Sequence, residues 1–343
     1  MTGSLTRSTG AVRRLPVLVI FWLAGCAATA PASPDPLPGV TAELRDGRVI
    51  AEDGYQLPMR RWLPAGDPVA IVLALHGFND HAGSLEPLAL SLRARGIAVH
   101  AIDQRGFGTT SGRGLWHGER RLVDDARLVS RLLRQRYPET PLYLVGKSMG
   151  GAVAMLALTG GSPAGVDGAV LVSPAVWGLS TMPWYQRLGL RVAAYLFPDL
   201  SLSSRLTRRL GIHPTDDPEV MRRMLNDPLI QRRALVGTLH GLSRLMDAAS
   251  RAGERLPPPI LLLYGERDQV IPPEPTCRLL ERLPATPAHR LVLYPDGFHM
   301  LTRYSGNAAT HEDIATWLLD PRAALPSGHE VDHDTARDRL CEG

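Results

Sequence analysis

Lysine is almost absent from this chain of 343 residues, in which Lys147 is the single lysine among 38 basic residues. The formal net charge is +4, and no block of basic residues is interleaved with aromatic ones. Proteins that bind nucleic acid usually carry such a basic surface, so we do not expect a nucleic-acid partner. The excess of arginine favours a solvated surface with some attraction to anionic lipid.

The chain also lacks an apolar run long enough to cross a bilayer, because its N-terminal run, Leu15–Leu23, is too short. This run follows Arg7, Arg13 and Arg14 and ends in the residues LAGC at positions 23–26. A basic segment, a short apolar segment and small residues before a cleavage point are typical of an export signal. The LAGC ending resembles the bacterial lipobox, in which the cysteine is lipidated and becomes the mature N-terminus.

We therefore expect residues 1–26 to form a lipoprotein signal and Cys26 to carry lipid chains that hold the protein on a membrane surface without crossing it. The alternatives are an uncleaved anchor and an ordinary signal with an incidental cysteine. Ala27 follows the cysteine, and by resemblance to Gram-negative lipoproteins a residue other than aspartate there favours the outer membrane. The predicted location is the bacterial cell envelope. Residues 27–41, rich in proline and alanine, are interpreted as a tether.

Cysteine is scarce as well, with three in the whole chain. Cys277 and Cys341 could pair in an oxidising compartment, although their spacing does not require it. No cysteine spacing matches a zinc site, and we predict neither a metal nor an organic cofactor.

Apolar runs of strand length alternate with helical patterns through most of the chain. The predicted strands are Ala70–Leu75, Ile97–Ile102, the run before Gly146, Gly168–Val172, Pro259–Tyr264 and Arg290–Tyr294. Helical periodicity lies between them, for example at Ser84–Arg95 and Glu119–Tyr137. This alternation predicts the α/β fold class, with a mostly parallel central sheet and helices on both faces. Functional residues are then expected beyond the carboxyl ends of the strands.

The alternation breaks at residues 175–258, which show helical patterns, no strand-like run and many large apolar side chains. We interpret this segment as a helical cap, although an extra helical layer of the core would produce the same pattern. Its candidate substrate-binding residues are Trp177, Trp184 and Tyr185. The other predicted divisions are a core at 42–174 and 259–320, and a polar tail at 321–343 that we expect to be loosely held.

The most informative segment is residues 142–151, LYLVGKSMGG, where a β-rich apolar run ends in Gly-x-Ser-x-Gly and passes directly into a helix-like run. This is the context of a nucleophile elbow, in which a serine on a strained strand-to-helix turn projects its hydroxyl clear of the sheet. The helix directs its free N–H groups towards the same point. The alternative is a glycine-rich turn with a solvated serine. We take Ser148 as the candidate nucleophile.

A serine hydroxyl needs a base to accept its proton and a carboxylate to orient that base. His299 follows the last predicted sheet strand and is the one histidine in such a position downstream of Ser148, which makes it the candidate base. The loop after the preceding strand supplies Asp268 as the candidate acid, with Glu266 as the rival. Asp296 lies too close in sequence to His299 to orient it easily.

An oxyanion hole needs backbone N–H groups directed at the reacting carbonyl oxygen. One is expected from Met149, directly after the nucleophile. The other is expected from Phe78, in the loop HGFNDH at residues 76–81 that follows a predicted strand. Gly77 leaves room for a substrate, and His76 is interpreted as bracing the loop rather than as a second base.

Six motifs fall in the order seen in monoacylglycerol lipase-like α/β-hydrolases, a group that includes bacterial lysophospholipases and related serine esterases. They are HGFNDH at 76–81, DQRGFG at 103–108, GKSMGG at 146–151, DPL at 227–229, the loop 265–268 and GFH at 297–299. The resemblance covers roughly residues 43–319. It implies the α/β-hydrolase fold and a lid over an acyl pocket, formed by the cap. The residues it implies are Ser148, Asp268 and His299 for catalysis, and Phe78 and Met149 as oxyanion donors.

The resemblance and the candidate residues together predict a membrane-tethered serine hydrolase that cleaves esters through an acyl-enzyme. The apolar cap and the lipid anchor favour a lipid ester with one acyl chain, such as a monoacylglycerol or a lysophospholipid. Two alternatives stay open. One is a hydrolase of the same fold that acts on amides, thioesters or small non-lipid esters, and the other is a non-catalytic envelope lipoprotein that uses the fold for binding.

Overall fold

The computed structural model describes residues 37–160, 165–203, 211–257 and 259–341. Within these ranges no helix combines the length and the apolar character that a bilayer crossing requires. The predicted signal at 1–26, with Cys26, lies outside the described residues, as does most of the predicted tether.

The described residues contain twelve strands, ten of which form one sheet. The strands are β1 (Glu43–Arg45), β2 (Arg48–Ile50), β3 (Gln56–Trp62), β4 (Ala70–Leu75), β5 (Ile97–Ile102), β6 (Leu142–Lys147), β7 (Gly168–Val172), β8 (Ser201–Ser203), β9 (Arg233–Leu235), β10 (Ile260–Gly265), β11 (His289–Tyr294) and β12 (Glu330–Val331). The large sheet has the order β1-β2-β3-β5-β4-β6-β7-β10-β11-β12.

The six central strands of this sheet, from β5 to β11, are parallel, and the strands that flank them, β3 and β12, pair with them antiparallel. The predicted α/β class with a mostly parallel sheet is therefore confirmed. β4 has β5 on one side and β6 on the other, so the direction of winding reverses at β4. In open α/β sheets such a reversal opens a crevice at the carboxyl ends of the strands, where ligands bind.

Among the described residues, helices cover both faces of the sheet and build most of the cap. They are α1 (Glu86–Ala94), α2 (Glu119–Arg136), α3 (Met149–Thr159), α4 (Trp184–Leu196), α5 (Pro218–Asn226), α6 (Val236–Ala252), α7 (Pro273–Leu280), α8 (Asn307–Leu319) and α9 (His333–Cys341). Alternate side chains of β4 enter two core layers. Leu73 packs in the layer with α2 and α3, and Val72 packs in the layer with α1 and α8. Burial on both faces explains why the central strands read as continuous apolar runs.

The inserted cap contains strands as well as helices, which differs from the prediction. β8 and β9 pair antiparallel over three residues each. Strands this short cannot display the alternation by which a strand is recognised in a sequence. Helix α6 contacts α3 of the core, whereas α4 contacts α6 and has no buried residue. The cap is therefore attached to the core through α6, with α4 on the outside.

The C-terminal tail is packed on the core, so the prediction of a loosely held tail is wrong for residues 330–341. β12 extends the sheet beside β11, and α9 packs against α7 with Leu340 buried. A disulfide bond joins Cys277 of α7 to Cys341 of α9. Few apolar residues hold this segment, and cysteine spacing alone does not reveal a pairing, so the sequence carried little signal for it.

Candidate active site

Ser148 lies between β6 and α3 with a φ of 52°, a conformation that non-glycine residues rarely adopt. Two glycines permit this turn. A Cβ atom on Gly146 would lie 2.4 Å from the carbonyl oxygen of Gly150. One on Gly150 would lie 2.1 Å from the carbonyl oxygen of Leu75. Both distances are far below van der Waals contact, so the Gly-x-Ser-x-Gly pattern is a packing requirement of the elbow as well as a motif.

A buried chain of hydrogen bonds joins Ser148, His299 and Asp268. His299 Nε2 lies 3.0 Å from Ser148 Oγ, and His299 Nδ1 lies 2.7 Å from Asp268 Oδ2. Because a carboxylate only accepts, Nδ1 donates to Asp268, and Nε2 is left to accept the serine proton. The other carboxylate oxygen, Oδ1, accepts the N–H groups of Val270 and Ile271 at 2.8 and 2.9 Å. The structure thus brings the predicted nucleophile, base and acid together in the geometry that their chemistry requires.

The rival carboxylate, Glu266, and the excluded one, Asp296, lie elsewhere. Glu266 accepts a hydrogen bond from Arg339 of α9 at 2.7 Å, and Asp296 pairs with Arg267 on the surface. Asp268 is the acid because its carboxylate reaches His299, whereas Glu266 of the same loop is directed to α9. The loop also contacts the His299 loop through the backbone. The Arg267 N–H donates to the Gly297 carbonyl at 2.9 Å.

The two predicted oxyanion donors belong to segments next to the nucleophile. Met149 is the first residue of α3, and the first N–H groups of a helix have no acceptor within the helix. The Phe78 N–H donates to no backbone acceptor in the part of the chain that the structure describes. At Gly77, an added Cβ would lie 3.4 Å from Ser148 Cβ, so this loop passes close to the nucleophile. The arrangement leaves both N–H groups available to a substrate oxygen.

His76 braces the Phe78 loop, as predicted from its position. The Gln104 N–H donates to His76 Nε2 at 3.0 Å, so Nδ1 carries the proton and donates to the Gly77 carbonyl at 2.8 Å. Burial lowers the pKa of His76, which keeps the ring neutral in this role. A ring with both nitrogens occupied cannot serve as a second base.

Comparisons with known proteins agree with this geometry. The family model described as "Serine aminopeptidase, S33" matches residues 66–304, which is more than half of the chain. The chain belongs to this family of serine hydrolases.

Relatives of the hydrolase include the monoglyceride lipase of Homo sapiens, 31% identical over 284 residues, which cover 79% of this chain and 89% of that protein. The monoacylglycerol lipase of Mycolicibacterium smegmatis is 25% identical over 268 residues, which cover 78% of this chain and 94% of that protein. The crystal structure of the Paleococcus ferrophilus monoacylglycerol lipase is similar, with a TM-score of 0.62 and 26% identity, covering 77% of this chain and 98% of that chain. The expected resemblance to monoacylglycerol lipase-like α/β-hydrolases is thereby confirmed.

The three predicted substrate-binding residues of the cap lie on its surface. Trp184 and Tyr185 of α4 are 69% and 60% exposed, and Trp177 is 38% exposed. A cavity of about 770 Å³ lies beside the acid and base loops, lined by cap residues that include His213 and by Gln269 and Phe298. The three aromatic residues do not line it, so their role stays a prediction.

The sequence interpretation did not foresee a buried charged cluster in the hydrolase. The Arg303 guanidinium donates to Asp80 Oδ2 at 2.6 Å, and Lys147 Nζ lies 3.6 Å from the same oxygen. Burial alone would raise the pKa of the Asp80 carboxyl, but Arg303 and Lys147 hold it well below its usual range. Two features of the sequence could have revealed this cluster: Asp80 is part of the HGFNDH motif, and Lys147 is the single lysine of the chain.

A second unforeseen contact joins the cap of the hydrolase to the Phe78 loop. The Gly83 N–H donates to His81 Nδ1 at 3.1 Å, so His81 Nε2 carries the proton and donates to Asp227 Oδ2 at 2.9 Å. Nearby, the Gln231 N–H donates to the Asn79 carbonyl at 3.0 Å. The DPL motif, which begins at Asp227, therefore attaches the cap to the loop beside Ser148.

Proposed function

We propose that this protein hydrolyses carboxylic esters of lipids with one acyl chain, monoacylglycerols or lysophospholipids, through an acyl-enzyme on Ser148. The observation that carries the proposal is the hydrogen-bonded chain of Ser148, His299 and Asp268, next to two available N–H groups. A poor nucleophile, a base and an orienting carboxylate in this order are what acyl transfer needs.

The reaction follows from the positions of these groups. His299 Nε2 accepts the Ser148 proton as Oγ attacks the ester carbonyl, and the Phe78 and Met149 N–H groups stabilise the resulting oxyanion. The protonated His299 then donates its proton to the departing alcohol, which leaves an ester on Ser148. A water molecule gives a proton to His299 and attacks this ester, and the fatty acid leaves as the proton returns to Ser148.

Support for a lipid substrate comes from the relatives, which are named for monoglycerides and monoacylglycerols, and from the cap. The outer side of the cap exposes a group of large apolar side chains. They are Trp184, Tyr185, Leu188, Val192, Tyr195, Leu196, Phe197 and Leu200, all at least 47% exposed. An exposed apolar surface of this kind usually marks contact with a lipid or a partner. Approach of the cap to a lipid surface would give the hydrolase access to amphiphilic esters.

The direct test is hydrolysis of monoacylglycerols and lysophospholipids of increasing acyl-chain length, with Ser148→Ala as the control. We expect turnover that depends on Ser148 and rises from short to medium or long chains. Equal rates for all chain lengths, or a preference for short esters, would contradict the lipid assignment.

The same purified protein can be used to test the two alternative functions, hydrolysis of a different substrate class and a non-catalytic binding role. The family model is described as an aminopeptidase, so aminoacyl amides belong in the substrate set beside thioesters and small esters. Faster cleavage of an amide than of any ester would replace the proposal. A folded protein whose Ser148 does not react with a fluorophosphonate probe would instead favour a non-catalytic binding role.

We also propose that the protein is exported and anchored through lipid on Cys26 in the bacterial envelope, with the outer membrane favoured if the organism is Gram-negative. The LAGC ending supports this, and so does the Cys277–Cys341 disulfide, since disulfides persist in oxidising compartments. Radiolabelled fatty acid should enter the wild-type protein and not Cys26→Ala. Incorporation that survives this substitution would contradict the anchor.

A further inference from the structure

Lys147 is buried at a position where a neutral side chain would be easier to accommodate. Lys147, Asp80 and Arg303 are each at most 8% exposed, and together they place two positive charges and one negative charge in the interior. The pKa of Lys147 is lowered to about 8, mainly by burial and also by the positive charge of Arg303. The negative charges of Asp80 and Asp268 partly oppose this decrease. Buried charges are costly to folding, so a charged lysine directly before the nucleophile indicates a function beyond stability.

The cluster connects the three loops of the site. Asp80 lies two residues after Phe78, Lys147 directly precedes Ser148, and Arg303 lies four residues after His299. A single carboxylate oxygen, Asp80 Oδ2, contacts both cations. The position of the Phe78 loop relative to the nucleophile and the base therefore depends on Asp80.

The Phe78 loop is also held by His76 and by the Gln231 N–H, which donates to the Asn79 carbonyl at 3.0 Å, but among the described residues Asp80 is the side chain of this loop that pairs with cations beside Ser148 and His299. Asn79, between Phe78 and Asp80, has a φ of 60°, and its buried side-chain oxygen has no hydrogen-bond partner among the described residues. The Asp80 N–H donates to the Gly77 carbonyl in a long hydrogen bond of 3.3 Å. A loop with this backbone geometry would relax if its anchor were removed, and the Phe78 N–H would move with it.

We propose that Lys147 is a positioning residue: together with Arg303 it fixes Asp80, and through Asp80 it holds the Phe78 N–H in place for the oxyanion. The inference rests on the proposed function, because it assigns the oxyanion donor of that reaction. Misplacing a catalytic group by about 1 Å can cost about 100-fold in rate. We therefore expect loss of the Lys147 charge to lower kcat by between about tenfold and 100-fold, with little change in KM.

Titration of Lys147 should produce the same loss in the wild-type protein. Below its pKa the ammonium attracts Asp80, and above it this attraction disappears, so kcat should decline with a midpoint near pH 8. Other titratable or charged groups lie around Lys147 and Asp80. Arg303 after β11, Asp80 and Asp268 act on Lys147 directly. His76 acts on Asp80 and His81 acts on His76 within the Phe78 loop, and His299 bonds Asp268 and Ser148. The variant Lys147→Arg leaves all of these in place and keeps its positive charge at every pH tested.

The first experiment compares Lys147→Met and Lys147→Arg in the full chain, by ester kcat, KM and melting temperature. Lys147→Met should lose activity while its melting temperature stays equal or rises, because a buried charge has been removed. Lys147→Arg should retain most of the neutral-pH kcat and lose the alkaline decline. An unchanged kcat in Lys147→Met, or a fall in activity and melting temperature together, would overturn the proposal.

The single lysine allows a second, direct measurement on the wild-type protein. With ¹³C-labelled lysine the chain gives one side-chain NMR signal, whose titration reports Lys147 alone. We expect its midpoint to coincide with that of the alkaline decline in kcat. A lysine midpoint that differs from the kinetic one would overturn the proposal even if the arginine variant does not fold.

A matched control separates this cluster from buried ion pairs in general. Asp125 of α2 accepts hydrogen bonds from the Arg105 guanidinium and is as well buried as Asp80. Asp125→Asn should lower the melting temperature and leave kcat unchanged. If the wild-type protein shows no Ser148-dependent hydrolysis at all, the proposed function has failed. If it does and the Lys147 variants behave like Asp125→Asn, only this inference has failed.

Discussion

The core and the cap of this hydrolase differ in how their residues are held. Strands β4, β6 and β10 are buried along their whole length, whereas α4 of the cap has no buried residue. Ser148, His299 and Asp268 all belong to the core, and most of the large exposed apolar side chains belong to the cap. The reacting groups therefore lie in the tightly packed core, where packing fixes their positions. The surface proposed to contact the lipid substrate lies in the cap, where few side chains are packed.

The largest effect should come from the acid loop of the core. Asp268→Asn can still bind the His299 ring, but it no longer stabilises the protonated imidazole or its tautomer, so kcat should fall by about 10⁴-fold. Glu266→Gln is the matched control in the same loop and should leave kcat almost unchanged, because Glu266 contacts Arg339 instead. Equal losses in the two variants would mean that the loop, not the Asp268 contact, is responsible.

A glycine-to-alanine substitution should change the free energy of unfolding in opposite directions in the core and in the cap. In Gly150→Ala the new Cβ would meet the backbone oxygen of Leu75, and we expect a loss of more than about 4 kcal/mol in the free energy of unfolding. In Gly189→Ala, within α4, nothing lies within 4 Å, and alanine should stabilise the helix by about 0.5–1 kcal/mol. Urea unfolding of both variants measures the contrast, and similar values would contradict it.

The disulfide should matter for stability and not for chemistry. Its two cysteines are 64 positions apart, and removing such a cross-link with Cys277→Ala and Cys341→Ala should cost about 4 kcal/mol or less. The kcat of the folded variant should equal that of the wild type, since α7 and α9 carry none of the candidate catalytic residues. A large drop in kcat under native conditions would show that the tail supports the site.

The smallest effect is expected on the cap surface. Trp184→Ala should change the free energy of unfolding by no more than about 0.5 kcal/mol, because the side chain is mostly exposed. Its KM for long-chain esters should rise by up to about tenfold, with no change for short ones. Leu90→Ala, at a partly exposed apolar position of the core helix α1, is the control and should alter neither.

Much of the core could be predicted because its signals are local. β4, β5 and β7 begin and end at the predicted residues, since each is a mostly apolar run with polar, glycine or proline residues near its ends. Ser148 and His299 could be proposed because the carboxyl ends of parallel strands meet at one edge of the sheet. Asp268 followed from the same rule, with Glu266 left open until the side-chain contacts were known.

The remaining features depend on contacts between distant parts of the chain. Almost no local sequence pattern predicts the pairing of β8 with β9 or the attachment of α9 to the core. Asp80 and Arg303 are 223 positions apart, and no periodicity connects them. A local signal can also mislead. The aromatic residues of the cap were predicted to line a pocket because of their composition, but in the described structure they lie on the surface and do not line the cavity.

The central claim is an acyl-enzyme on Ser148, and intact-mass analysis during turnover tests it most directly. Wild-type protein quenched while hydrolysing a medium-chain monoacylglycerol should gain one acyl group beyond any lipid on Cys26, on the peptide that contains Ser148, and Ser148→Ala should gain none and form no product. Product formation without any acylated protein, or undiminished hydrolysis by Ser148→Ala, would contradict the account.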